Sequence, residues 1–233
     1  MAGRHKPIPV EESYMTSSPL PSLENLIKSK QRVADHGEVF TPAHIVTAML
    51  DLVKDESERI DSRFLEPACG EGNFLTQVLL RKLATVQGKY GANEFERRHY
   101  ALLGLMCIYG IELLEDNAQL CRQNLEEIFT QFINDPQETA WSQAARKVLN
   151  ANIVQADALT MLRTDGSAIE FSEWGYLGKG KFQRRDFKFS DLSNRSSFNA
   201  VEGTLFEETE SSDMFDPLRT HQPMSVTDIA QSM

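Results

Sequence analysis

Three short apolar runs constrain this chain more than any other feature: "RFLEP" (63–67), "CIYGIE" (107–112) and "NIVQAD" (152–157). Each has the length of a strand, and the segments between them carry apolar residues at steps of three and four, the period of a helix. Strands alternating with helices form a parallel sheet, because a helical crossover is what brings the chain back for a second strand in the same direction. The pattern predicts an α/β domain. A length of 233 residues and a hydrophobic content of 41% suit one sizeable globular domain, or at most two small ones.

Around this alternation the chain falls into three regions. Residues 1–21, with four prolines and several serines, read as a flexible leader. Residues 22–165 hold the alternating elements. "SLENLIKSKQRVADHG" (22–37) reads as a short helix closed by Gly37. In "GEVFTPAHIVTAMLDLV", Thr41 is placed to cap a helix whose first position is Pro42. Ile45, Val46, Met49, Leu52 and Val53 then recur at helical spacing. Further helices are expected at about 73–86, 92–106, 115–133 and 137–149. Residues 166–233 change character. "AIEFSEWGYLGKGKFQRRDFKFSDL" (168–192) places aromatics on both sides of a Gly-Lys-Gly turn and reads as a β-hairpin. An acidic loop (201–216) and a short helix in "SVTDIAQSM" follow.

Composition narrows the partners. A formal net charge of −10 argues against broad, charge-driven binding to nucleic acid by the chain as a whole. Such binding needs a local basic patch or a partner protein. The hairpin offers the patch, Lys179, Lys181, Arg184, Arg185 and Lys188 against Asp186. It is interleaved with Trp174, Tyr176, Phe182, Phe187 and Phe189, a mixture that suits backbone and base contacts. The plainer alternative is a hairpin whose rings pack on the domain while its charges stay solvated. Cys69, Cys107 and Cys121 are odd in number and not in metal-ligand spacing, which points to a reducing cytoplasm and no metal. No apolar run reaches the roughly 18 residues of a membrane span.

The first apolar run hands over to a helix through "EPACGEGNFL", with Gly70 and Gly72 two residues apart. A glycine turn at the carboxyl end of a parallel strand lets a ligand approach the backbone, where the next helix presents unpaired N–H groups. The turn lacks the third glycine of the dinucleotide fingerprint and the Lys-Ser/Thr of a P-loop. By itself it is equally a tight turn that holds nothing. Two acids stand in register with it. Glu112 ends the second run, where a carboxylate can accept both hydroxyls of a ribose. Asp157 ends the third, where one can accept from the exocyclic amine of an adenine.

"GEVFTPAHIV", "FLEPACGEGNFL", "YGIELLEDNAQLCRQNL" and "NIVQADAL", in that order, resemble the cofactor-binding half of a DNA adenine-N6 methyltransferase. The nearest kind is the modification part of type I and fused type II restriction-modification enzymes. The resemblance spans about residues 22–162. It implies an incomplete class I (Rossmann-like) S-adenosyl-L-methionine (SAM) methyltransferase core, with an N-terminal helical segment and a C-terminal β-hairpin extension. By the same resemblance Phe40, Thr41 and Pro42 flank the methionine end of SAM. Glu66, Ala68, Gly70 and Gly72 form the main cofactor turn, Glu112 takes the ribose, and Asp157 with Ala158 takes the adenine. Cys69 is a small packed residue of that turn and not a nucleophile.

The sequence departs from the family in one respect. The resemblance calls for an Asn/Asp/Ser-Pro-Pro-aromatic tetrad after the third strand, to grip the base once it is flipped from the duplex. Residues 158–233 contain none; "FDPLRT" (215–220) and "NDPQ" (134–137) lack the second proline and the aromatic. Three readings stay open. One is a DNA adenine-N6 methyltransferase component whose tetrad and target recognition come from a second polypeptide. Another is a non-catalytic SAM-binding or interaction protein derived from such an enzyme. The third, a small-molecule or protein methyltransferase, is disfavoured by "VFTP" ahead of the glycine turn.

Overall fold

The structure is a computed structural model and describes residues 28–36, 39, 41–135, 139–191 and 216–232. The leader, Phe40 and the acidic segment up to residue 215 lie outside the described residues. The chain divides into two compact units, Met1–Val39 and Phe40–Met233. In the first, helix α1 (Lys30–His36) is the described element. The Ser29 hydroxyl accepts the Arg32 N–H at its start.

In the second unit, α2 (Ala43–Leu52) and α3 (Lys54–Ser57) precede β1 (Phe64–Glu66). Then come α4 (Asn73–Tyr90), α5 (Glu94–Met106), β2 (Ile108–Glu112), α6 (Glu115–Ile133), α7 (Ala140–Asn152) and β3 (Ile153–Asp157). The expected alternation of helix and strand is present, with boundaries shifted by a few residues. β1, β2 and β3 lie side by side and parallel, and the two-residue β4 (Leu162–Arg163) pairs antiparallel with β3 at the far edge.

Period-two alternation divides the sheet between two covers. Ile108 and Ile153 point into the helical layer with Leu75, Leu79, Leu125, Phe129, Val148 and Leu149. Tyr109, Ile111, Val154 and Ala156 point the other way, onto Ile169 and Phe171. Phe171 belongs to a hairpin of β5 (Glu170–Gly178) and β6 (Lys181–Lys188), extended by β7 (Arg219–Thr220). With both faces covered, β2 is buried along its whole length. Further along the hairpin, Trp174 and Phe182 join the helical core beside Val226 and Ile229 of α8 (Val226–Gln231).

Two local expectations change. α2 begins one residue late: Pro42 is the N-cap, in extended conformation, and its carbonyl accepts the Ile45 and Val46 N–H groups while Thr41 makes no cap. The apolar stripe of α2 is also mostly outside the core. Val46 and Leu50 are buried, but Ile45, Met49, Leu52 and Val53 are 42%, 48%, 87% and 45% exposed. The helix packs on α4 along one edge, where Arg81 bonds Thr47 O and Asp51, and its other apolar edge faces outward.

Candidate functional site

The carboxyl ends of β1, β2 and β3 form a staircase. Glu66 pairs with Gly110, so Glu112 lies two residues further along; Glu112 pairs with Gln155, so Asp157 lies two further again. At about 3.3 Å per residue each step is roughly 6.6 Å. The three acids thus end neighbouring strands on one side of the sheet, where open α/β folds bind ligands.

The glycine turn is bolted to this staircase by its backbone. Cys69 N–H donates to Ile111 O at 3.0 Å, continuing the β1–β2 ladder past the end of β1. Gly70 N–H donates to Glu112 Oε2 at 2.8 Å. Gly70 and Gly72 have φ of 53° and 87°, the left-handed region that favours glycine. A Cβ on Gly72 would also stand 2.7 Å from Cys121 Sγ, so the turn is pressed against α6. That contact explains part of the glycine pattern without a ligand. Asn124 on α6 completes the clamp, its Nδ2 donating to Glu71 O at 3.0 Å.

Glu112 is buried and held at both oxygens. Besides Gly70 it accepts the Leu114 N–H on Oε1 at 3.0 Å, with Asn117 Nδ2 within 3.5 Å. Oε2 accepts from Gly70 and has a second lone pair besides, so the residue can hold the turn and still accept from a ligand. Asp157 Oδ1 accepts the Leu159 N–H at 2.8 Å and the Thr160 N–H at 3.4 Å, which shapes the loop after β3. Glu66 differs: its Oε2 is buried and has no hydrogen-bond donor among the described residues. Burial, reinforced by the Glu112 charge, pushes its carboxyl up to about 7. The Cys69 thiol is pushed up by its hydrogen bond with Cys121 and by burial, and is held as the neutral thiol.

The residues expected to act together are therefore grouped in part. Gly70 is hydrogen-bonded to Glu112 and Gly72 closes the same turn, while Glu66 stands at the neighbouring strand end without a bond to either. Asp157 and Ala158 stand at the next strand end, Ala68 is exposed on the turn, and Thr41 and Pro42 lead into α2. Sequence reasoning missed Asn117 and Asn124, which orient the cluster; their signal was two amides on the otherwise apolar inner stripe of α6. It also missed Leu113 and Leu159, 50% and 94% exposed just past Glu112 and Asp157. An exposed leucine one or two residues after a strand-end acid is the signal for an apolar rim.

The hairpin cations are mostly committed within the chain. Arg184 bonds Asp186 at 2.7 Å and lies over the Trp174 ring. Arg185 pairs with Glu173 at 2.5 Å, and Glu173 also pairs with Arg63 ahead of β1. Lys181 pairs with Asp228. Trp174 and Phe182 are buried and Tyr176 is half-buried against them, so these rings do not form an open stacking surface.

The description "N-6 DNA Methylase" belongs to a family model that matches residues 23–143, just over half of the chain, including the glycine turn and Glu112. The chain belongs to that adenine-N6 DNA methylase family. No curated protein and no solved structure matches it. Among the described residues no helix is long and apolar enough to cross a membrane.

Proposed function

We propose that this chain is the SAM-binding component of a DNA adenine-N6 methyltransferase, of the restriction-modification kind or a related system. The observation that carries the reading is the cluster at the strand ends: a glycine turn hydrogen-bonded to Glu112, with Glu66 beside it holding a buried, undonated carboxylate oxygen. A cationic ligand fits such an oxygen, and SAM carries positive charge at both its sulfonium and its α-amine. When bound, SAM supplies an electrophilic methyl group. The chain's own residues would hold and orient it: Glu112 takes the ribose through the remaining lone pair of Oε2, and Asp157 with Ala158 takes the adenine. Leu113 and Leu159 shield its apolar ring, and Thr41 and Pro42, with Phe40, border the methionine end. Fixing the donor in this way is what the protein contributes to a transfer that depends on alignment.

DNA is the substrate class of the family. In this reading a second polypeptide brings the base-gripping residues; residues 158–233 hold no Asn/Asp/Ser-Pro-Pro-aromatic tetrad. That polypeptide also brings the positive charge that a chain of net charge −10 needs on DNA. The same missing tetrad supports a second reading, a non-catalytic SAM-binding regulator derived from such an enzyme. Calorimetric titration of SAM tests the first. Micromolar binding is expected, weakened about tenfold or more in Asp157→Ala, as for loss of a hydrogen bond to a charged group. Undetectable binding would refute it. Methyl transfer to DNA by a reconstituted complex with the product of a neighbouring reading frame carrying the tetrad separates the two readings.

A further inference from the structure

The three strand-end acids are not equivalent. Glu112 has N–H donors on both oxygens, and Asp157 has them on Oδ1. Glu66 Oε2 has none among the described residues, although it is shut off from solvent. Its strand is the immediate neighbour of β2, which brings a second carboxylate, Glu112, close enough to act on it. A buried ionised oxygen with neither donor nor cation is costly. Glu66 therefore has two inexpensive states: protonated, or ionised against a positive charge supplied from outside the chain.

Resting on the cofactor reading above, we propose that Glu66 reads the charge of the ligand. It binds the sulfonium cofactor as a carboxylate, giving up a proton, and it favours that cofactor over the neutral thioether left after methyl transfer. The titratable groups around it allow this exchange. Glu112 from β2 opposes ionisation and is itself held by backbone N–H groups. Cys69 from the turn, hydrogen-bonded to Cys121 of α6, stays a neutral thiol and does not compete for the proton. With a carboxyl pushed up to about 7, the proton moves in the neutral range. Transfer of the methyl group would leave its bonding electron pair on sulfur and remove the sulfonium charge, while the α-ammonium, common to donor and product, stays. Glu66 then recovers a proton from solvent, and the product is held less tightly than the donor.

The test is calorimetric titration of the full chain with SAM, with S-adenosylhomocysteine, and with an adenosyl analogue carrying an ammonium group in place of the sulfonium. Each titration is run in two buffers of different ionisation enthalpy. SAM and the ammonium analogue should release protons near pH 6 and S-adenosylhomocysteine should not; equal release by S-adenosylhomocysteine would put the shared α-ammonium against Glu66 and overturn the inference. SAM affinity should rise about tenfold between about pH 6 and about pH 8, since only the ionised fraction of Glu66 is competent, while that of the thioether stays flat. Glu66→Gln should abolish the release and bring the SAM and thioether affinities together. The wild-type pH series stands by itself if that variant fails to fold. Equal, pH-independent binding of SAM and the thioether without proton release would overturn the inference and leave the cofactor reading standing. No binding of any of the three ligands would overturn both.

Discussion

At the residue scale, one buried cation sets where β1 begins. Lys82 is fully buried on α4, and its ammonium donates to the carbonyls of Arg59, Ile60 and Ser62 at 2.7, 3.0 and 2.6 Å. It also lies over the Phe64 ring. Those three carbonyls belong to the loop that delivers the chain into β1, so Lys82 positions the strand whose end carries Glu66. Lys82→Met is expected to cost about 2–4 kcal/mol in urea denaturation, because removing the donor leaves buried acceptors unsatisfied. A loss below about 0.5 kcal/mol would show that the loop does not depend on it. Nothing in the sequence marked this lysine. It occupies a helical position where a solvated charge is usual, and only tertiary packing turns it inward. Glu112 and Asp157 were legible, because a strand that ends on an acid beside a glycine turn places that acid by its period alone. The isolation of Glu66 was not legible, since it depends on which donors the fold brings near.

At the element scale, α2 shows what periodicity leaves open. Its apolar residues form two adjoining stripes, and spacing cannot say which one finds a neighbour. Val46 and Leu50 found α4; Ile45, Met49, Leu52 and Val53 did not. Leu50→Ala should therefore cost about 2–4 kcal/mol, as for a core truncation, and Met49→Glu less than about 0.5 kcal/mol, as for a surface change. Equal penalties in thermal denaturation would mean that the outward stripe is covered.

The hairpin is tied at its middle by a polar knot. Asp186 accepts from Ser172 Oγ at 2.8 Å, Arg184 Nε at 2.7 Å and His221 Nε2 at 2.7 Å. Burial pushes its carboxyl up, but the hydrogen bonds from His221, Arg184 and Ser172 outweigh this and hold it below the ordinary value of 3.8. A depressed carboxylate stabilises the fold above the unfolded value. That contribution is lost as pH falls through the folded one, below 3.8. Asp186→Asn should flatten the acid limb of the stability curve there, and an unchanged limb would show that the knot carries none of it. The basic-aromatic pattern of this hairpin was read as a possible nucleic-acid surface. In the fold the same residues largely satisfy one another, which composition cannot reveal.

At the scale of the whole molecule, the sheet and the helical layer serve one edge. The parallel order of β1, β2 and β3 was legible from alternation, whereas the cover on the second face was not, because a hairpin there replaces the helices that the period would suggest. Stability should also register the strand-end acids. Glu66, held at about 7 against an ordinary 4.5, keeps its proton in the folded state where the unfolded chain has released it. Stability of the unliganded chain should therefore fall as pH rises from 4.5 to about 7. The full loss is on the order of 3 kcal/mol, and Glu66→Gln should remove it.

The central claim is that the carboxyl ends of β1, β2 and β3 hold the methyl donor. Hydrogen–deuterium exchange with and without saturating SAM tests it most directly. The amides of Gly70, Leu114, Leu159 and Thr160, which bond to the site carboxylates or to their loops, should exchange more slowly with SAM present, while those of β6 and α8 should not change. Protection confined to the hairpin, or none anywhere, would contradict the claim.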